Sequence, residues 1–528
     1  MRTDVLVIGS GPAGMQAAIS ARAEGARVTL IERDWQLGGI LNQCIHHGFG
    51  VHFFRENMTG NQFAEKLKES LEGIDVRLNT IVTEVGENMV TLASDRGIEE
   101  MEYGALVLAM GCRERSRDSL GIPGSRPAGV FTAGQAQRLI NIEGYLPGKE
   151  IVILGSGDVG LIMARRLALE GCHIKCVVEI KPFPGGLMRN VVQCLNDFDI
   201  PLLLKHTVTR MIGKERLEGV EICEVDESMN LLRGTEKTIA CDTLLLSVGL
   251  IPENDLVNDL IEMDPVTGGP IVNQYLQTTN ERIFVCGNAL HVNDLVDNVA
   301  REASIAGKSA ALFAIGKLER DGEKRKAVAG NGVVAVVPQI VDGRSQIRFY
   351  MRAQKPEKNV YLRVRGTDIK FFKRFLRPAE SIVVNLAGNR IGEMGNEIVF
   401  EIEAGEAEEG EERALRTYVC TLCPIGCEIS VSEGGEMRGY QCKRGLEFVE
   451  QEEKEPMRIL TTTVYVDNGE LRMLPVRSSG EIRKEDMHEA MHEAAKVLVE
   501  APVTAGQEIL VFKGVPFIAT RSVARKRP

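Results

Sequence analysis

Short apolar runs, glycine clusters and stretches of helical periodicity follow one another in a fixed order twice in this chain. The first copy is DVLVIGSGPAGMQAA from Asp4, and the second is EIVILGSGDVGLIMA from Glu150. An apolar run bounded by glycine reads as a buried strand, and the small and apolar residues after it read as a helix packed on that strand. The segment from about 115 to 147 holds several Pro and Gly residues and reads as a link. Near Thr279 the chain is expected to return to the first unit, so the second unit reads as an insertion in the first. After Lys326 the pattern changes to VVAVVPQIV, SQIRFYMRA, KNVYLRVRG, SIVVNL and NEIVFEIE. These are β-branched-rich runs between turns, and they predict a small β-domain. EAGEAEEGEER (403–413) is acidic, has no apolar residue larger than Ala, and predicts a solvated linker. The last segment, from about 417, opens on a cysteine cluster and carries its own predicted helix, EDMHEAMHEAAKVLVEA.

A chain of 528 residues exceeds one core, so three or four units are expected. The net charge of -11 repels phosphate backbones and argues against nucleic acid as a partner. The opening MRTDVLVIGSG runs straight into an apolar strand, so no secretory signal is expected there. No apolar run reaches the ~18 residues of a membrane span. A cytoplasmic location is therefore expected. In that setting twelve cysteines suggest metal ligands, redox groups or core residues before disulfides.

Gly9-Ser10-Gly11-Pro12-Ala13-Gly14 fits the dinucleotide fingerprint G-x-G-x-x-G. The first glycine permits the tight turn, the second lets the backbone approach a pyrophosphate, and the third lets helix pack on strand. The phosphates would then meet the free N–H groups at the helix start. Glu32 ends the next strand 18 residues after Gly14, close to the spacing of a ribose-binding carboxylate. The second copy is Gly155-Ser156-Gly157-Asp158-Val159-Gly160, with Glu179 placed 19 residues after Gly160. A carboxylate there accepts from a 2′-hydroxyl and repels a 2′-phosphate, which favours NAD over NADP. Lys181 and Arg189 lie nearby and would weaken that preference.

These residues resemble the two-dinucleotide-binding-domain flavoproteins of the pyridine nucleotide-disulfide oxidoreductase superfamily. Further segments are similar. LVLAMGC (106–112) resembles the family's A-T-G strand end, with Met110 in place of Thr. LLLSVGLIPEN (244–254) resembles the matching segment after the second unit, and TTNERIFVCGN (278–288) resembles the second FAD fingerprint, with Asn288 in place of Asp. The resemblance implies an α/β fold of two Rossmann-like domains, FAD over 1–115 with 279–328 and NAD(P) over 148–278. A small β-domain (329–402), an acidic linker (403–416) and a four-cysteine α+β domain (417–528) follow. It implies FAD contacts at Gly9, Ser10, Gly11, Pro12, Ala13, Gly14, Glu32, Arg33, Gly39, Val82, Ala109, Met110, Gly111, Gly287 and Asn288. It implies NAD contacts at Gly155, Gly157, Asp158, Val159, Gly160, Glu179 and Gly249. GGILNQCIHHGFG, PGKEIVILGSGDVGLIMARRL and GLIPENDLV are most similar to the NAD/FAD oxidoreductase subunits associated with anaerobic glycerol-3-phosphate dehydrogenases. CTLCPIGC, CKRG, LTTTVYV, LPVRSS and ATRSV resemble a small domain that accompanies them.

Cys420-x2-Cys423-x3-Cys427-x14-Cys442 can hold a [4Fe–4S] cluster or a zinc ion. A zinc ribbon usually shows two C-x2-C knuckles, and only the first pair here has that spacing. The pattern resembles the cluster domain at the front of molybdopterin oxidoreductases, and Pro424 and Gly426 would shape a tight loop. A flavin exchanges electrons in pairs with nicotinamide and singly with a cluster, so the three cofactors form a coherent set.

Other residues invite function and have plainer alternatives. Cys44 is a lone cysteine where relatives carry a redox pair, and it is either a redox centre or a neutral flavin lining. His46, His47 and His52 would exchange protons near the flavin or simply line it. Cys172 and Cys176 lie ~13 Å apart along one strand, beyond disulfide reach, and read as core. Cys112, Cys194, Cys223, Cys241 and Cys286 read as small apolar residues. His488-Glu489-Ala490-Met491-His492 matches H-E-x-x-H, but a solvated helix face is the plainer reading. The expected function is electron transfer among NAD(H), FAD and the cluster, within a hetero-oligomer that includes a partner flavin dehydrogenase acting on glycerol 3-phosphate or a similar substrate. One alternative is a self-contained NADH-dependent thiol, persulfide or peroxide reductase using Cys44. The other is a non-catalytic redox sensor or assembly protein with a zinc tail.

Overall fold

The computed structural model of the chain describes residues 1–319, 322–405 and 415–526. The acidic linker lies largely outside the described residues. The first apolar run forms the strand Arg2–Ile8, which pairs in parallel with Val28–Ile31 on one side and Gly97–Leu108 on the other. All three strands are buried at their C-terminal ends, which is why they read as continuous apolar runs. The strand Ile283–Val285, more than 170 residues downstream, pairs in parallel with Gly97–Leu108 in the same sheet. The chain therefore leaves this sheet, builds another unit, and returns. Helix Pro12–Ala23 packs on helix Val296–Ala314 so closely that a Cβ on Gly307 would stand 2.1 Å from the Ala17 carbonyl oxygen.

The second sheet runs in the order Val130–Thr132, Thr243–Leu246, Glu150–Leu154, His173–Glu179, Leu202–Leu204, all parallel. It begins earlier than the expected boundary at 148, because the three-residue strand VFT belongs to it. It also ends earlier than 278, since Val257, Ile261, Val272 and Leu276 are buried in the first unit's core. Entry and exit are stapled together where Cys112–Glu114 pairs antiparallel with Leu250–Pro252. A bulge opposite Ile151 and Val152 shifts the register. Ile174 then faces one core and Cys176 the other. Cys172 and Cys176 are both buried free thiols.

The β-domain contains each predicted run, and two strands that the pattern did not disclose. RKAVA (Arg325–Ala329) pairs with Glu397–Ala404, so this strand belongs here and not to the first unit. KFFKRFL (Lys370–Leu376) pairs only with Glu357–Val364. It is a half-exposed edge strand, so its lysines and arginine interrupt any apolar run. Phe349, Phe400 and Leu362 fill the core between the domain's two sheets.

The C-terminal segment has two parts. Arg416–Val419, Glu428–Val431 and Met437–Arg438 make a small sheet, followed by helix Lys443–Lys454. A five-stranded sheet then covers the second unit, with Leu169 of that unit inside its core. Arg458 clamps Asp197 of the second unit through two hydrogen bonds of 2.7 and 2.9 Å. The predicted final helix is confined to Met487–Ala494, and Leu498–Glu500 is a strand. None of the helices among the described residues is long and apolar enough to cross a membrane.

Candidate functional site

The two glycine turns are built alike. Gly9 has φ +97°, and a Cβ there would stand 2.5 Å from Ala109 O. Gly155 has φ +91°, and a Cβ there would stand 2.2 Å from Ser247 O. In each unit the strand end just before the next glycine, Ala109-Met110-Gly111 or Ser247-Val248-Gly249, crosses over the turn. A Cβ on Gly14 would strike Gly9 O at 1.7 Å, and one on Gly160 would strike the Ser247 Cβ at 2.6 Å. Beside Gly11 the space is open to 4 Å, as a pyrophosphate approaching the backbone requires. Gly11 and Gly157 are the N-caps of helices that begin Pro12-Ala13 and Asp158-Val159, and no side chain caps either one.

The carboxylates repeat as well. Glu32 Oε2 accepts from Ser10 N at 2.9 Å and Ser10 Oγ at 2.6 Å, and Oε1 accepts from Asp34 N at 2.8 Å. Glu179 Oε2 accepts from Ser156 N and Oγ, and Oε1 from Lys181 N. Each is buried at its turn, while Arg33 beside Glu32 is exposed. Ser10 and Ser156 therefore orient the two acids. Gly39 packs against Gly11 at the same mouth. Val82 is core, pairing with Leu92 in the hairpin that follows Glu32. Gly287 and Asn288 open the short turn after Ile283–Val285, where Asn288 Oδ1 accepts from Asn293 N at 2.9 Å. These residues fit the two nucleotides. A flavin, when bound, supplies the two-electron to one-electron exchange.

Cys44 lies on the loop between these cradles. Its Sγ donates to Ile40 O at 3.3 Å, and burial pushes the thiol up to about 12. No cation lowers it, so at neutral pH it is a thiol, which is a poor nucleophile. Burial, reinforced by Arg189 and Arg165, pushes His46 down to about 4 and His47 well below its ordinary value. Both rings are neutral, which suits lining and not proton exchange at neutral pH. Asp297 was not visible as a functional residue in the sequence. Its carboxylate accepts from Gly50 N, His52 N and Phe53 N at 3.2, 2.8 and 2.6 Å, and so pins this loop to the start of helix Val296–Ala314. Glu302, wholly buried, accepts from Gly287 N and pairs with His291 at 2.8 Å. Neither acid sits in a spacing motif, so the sequence carried no signal for them.

The four cysteines come together at one end of the small sheet. Cys420 N donates to Cys427 O at 2.9 Å, and Gly426 takes φ +59° in the tight turn. Cys442 is exposed and begins helix Lys443–Lys454. Burial, with the other three thiols nearby, raises Cys420 to about 11. Among the described residues no three His, Cys, Asp or Glu side chains are arranged to hold a single metal ion. The cysteine turn rests on the second unit, where a Cβ on Gly426 would stand 3.3 Å from Arg189 N. His488 and His492 are both exposed, while Met487, Ala490 and Met491 face the core. That helix is a solvated face, as the plainer reading expects.

A family model described as pyridine nucleotide-disulphide oxidoreductase matches residues 3–310. A second, described as a protein of unknown function (DUF1667), matches residues 443–521, beginning just after Cys442. One of the opine oxidase subunits of Agrobacterium tumefaciens (strain Ach5) is 28% identical over 341 residues, 60% of this chain and 66% of that protein. The match thus spans just under two thirds of that relative's own length. Hydrogen cyanide synthase subunit HcnB of Pseudomonas protegens is 29% identical over 344 residues, 59% of this chain and 70% of that protein. The crystal structure of T. acidophilum thioredoxin reductase aligns with a TM-score of 0.49 at 19% identity, over 60% of this chain and 99% of that one. With a family model covering more than half of its residues, the chain belongs to the pyridine nucleotide-disulphide oxidoreductase family.

Proposed function

We propose that this chain is the electron-transfer subunit of a larger dehydrogenase. It carries FAD on the first unit, NAD on the second and a [4Fe–4S] cluster on Cys420, Cys423, Cys427 and Cys442. A partner flavin subunit oxidises glycerol 3-phosphate or a similar small substrate and exchanges electrons with the cluster. The observation that carries this reading is the seating of the cysteine turn against Arg189, whose side chain reaches the loop between the two nucleotide cradles. A zinc ribbon usually shows two C-x2-C knuckles and this sequence has one, which favours the cluster over zinc. Glu179 is held at the second turn by Ser156 and Lys181 N, and a carboxylate there repels a 2′-phosphate. Arg189 turns away toward His47, and Lys181 lies over the Phe183 ring, so neither cation is set to welcome a 2′-phosphate. Both relatives are named as subunits, one of opine oxidase and one of hydrogen cyanide synthase, and this supports a partner-dependent role.

Metal analysis of anaerobically purified protein tests the cluster. About four irons per chain is the expected result, and zinc with no iron contradicts it. The partner is tested by supplying glycerol 3-phosphate and NAD to the purified chain alone. No turnover is expected, and NAD reduction by the lone chain would sink the partner reading.

A further inference from the structure

We infer that the β-domain is part of the flavin site, and that its Arg352 is the positioning residue that orients Asn288 through a single peptide plane. The inference rests on FAD meeting the turn at Gly287 and Asn288, and is independent of the cysteine centre. That turn follows the buried strand Ile283–Val285 and leans on the first glycine turn. A Cβ on Gly287, where φ is +66°, would stand 2.8 Å from the Ala13 Cβ. Glu302 holds the turn from within the first unit, accepting from Gly287 N at 3.1 Å and from Asn293 Nδ2 at 3.3 Å. The Asn288 amide is oriented by Asn293 N, which donates to its Oδ1 at 2.9 Å. Asn288 Nδ2 then lies 3.5 Å from the Sγ of Cys112, the residue after Gly111.

The other face of Asn293 is held by the β-domain. Arg352, on the strand Ile347–Ala353, donates from Nη2 to Val292 O at 2.9 Å. Its Nη1 donates to Pro378 O at 3.0 Å and Ala379 O at 2.7 Å, which fixes the guanidinium to its own domain. Asp294 is gripped as well, by Ser381 N at 3.2 Å and by the Ser381 hydroxyl. Val292 O and Asn293 N are the two ends of one rigid trans peptide. Arg352 binds its oxygen, and Asn288 accepts its N–H. A charged donor on the oxygen polarises the peptide and strengthens the N–H as a donor. Turning the plane breaks both bonds together. A contact that only docked the β-domain would leave Asn288 indifferent to Arg352, whereas the shared peptide makes the two interdependent.

The test is a double-mutant cycle on the full chain loaded with FAD. The readouts are the rate of FAD release on dilution, followed by free-flavin fluorescence, and the thermal midpoint. Arg352→Ala should release FAD at least about fivefold faster, the effect of one lost hydrogen bond, and Arg352→Lys should recover part of the loss. Asn288→Ala should release it at least as fast as Arg352→Ala. Adding Arg352→Ala to Asn288→Ala should then change the rate by less than about twofold, because the two act through one bond. If Arg352→Ala does not fold, Arg352→Gln gives the same comparison. Asn288→Ala with release less than about fivefold faster removes FAD from this turn, and this inference with it. Fast release from Asn288→Ala but not from Arg352→Ala overturns this inference alone. Effects that multiply in the double variant, with a lower thermal midpoint for Arg352→Ala, assign Arg352 to general stability and also overturn it.

Discussion

A methyl group on Gly14 would have to share space with the Gly9 carbonyl oxygen, and one on Gly160 would collide with Ser247. The two clashes are separable. Gly14→Ala is expected to yield protein without flavin, read from the absorbance of the purified chain. Gly160→Ala should keep its flavin and lose most NADH-driven bleaching. Cys44 offers a different test. Its thiol is held protonated by burial, so Cys44→Ser should leave NADH–dye activity within about twofold. Loss of turnover would revive the self-contained reductase. The neutral histidines set a pH dependence. His46 is pushed down to about 4 when folded and titrates near 6.5 when unfolded, so the unfolded chain binds the extra proton between those values. Stability present above pH ~6.5 is lost as pH falls toward 4, at roughly 1.4 kcal/mol per unit for this group. Thermal unfolding across pH 7 to 4.5 should show that decline, and His46→Gln should make it shallower while leaving the share of His47. The glycines and acids of the cradles were legible because their spacing is tied to the phosphates and ribose. Asp297 and Glu302 were not, because each acts on a segment distant in sequence.

At the level of elements, the strand–turn–helix repeat could be read directly, since buried parallel strands are continuous apolar runs. Elements whose burial comes from the far side of the fold could not. Val130–Thr132 has only three residues, and Lys370–Leu376 alternates Phe with cations along an exposed edge. The last helix reads too long in the sequence because VLVE continues its apolar pattern, yet that stretch pairs with Thr461–Asp467 as a strand. The C-terminal sheet is fixed to the second unit by Arg458, which is buried with Asp197 and also meets Glu452. Burial alone would raise the Asp197 carboxyl, but the hydrogen bonds from Arg458 hold it below its ordinary value. Arg458→Ala leaves a buried carboxylate without its main partner and should cost about 3–5 kcal/mol. Chemical denaturation should show this as a lower midpoint, with the C-terminal segment becoming the first to be cut by protease.

For the molecule as a whole, the order of parts places the cysteine turn beside the loop between the cradles, although some 370 residues of chain separate Gly48 from Cys420. Arg477 adds a second bridge, donating from the C-terminal sheet to Asn57 O at 2.8 Å. The direct test is the visible spectrum of anaerobic protein before and after NADH, recorded for wild type and Cys423→Ser. Wild type should lose both the flavin bands and a broad absorbance near ~400 nm, while Cys423→Ser bleaches only its flavin. Flavin bleaching alone in an iron-loaded wild type would contradict electron transfer from NADH to the cysteine centre.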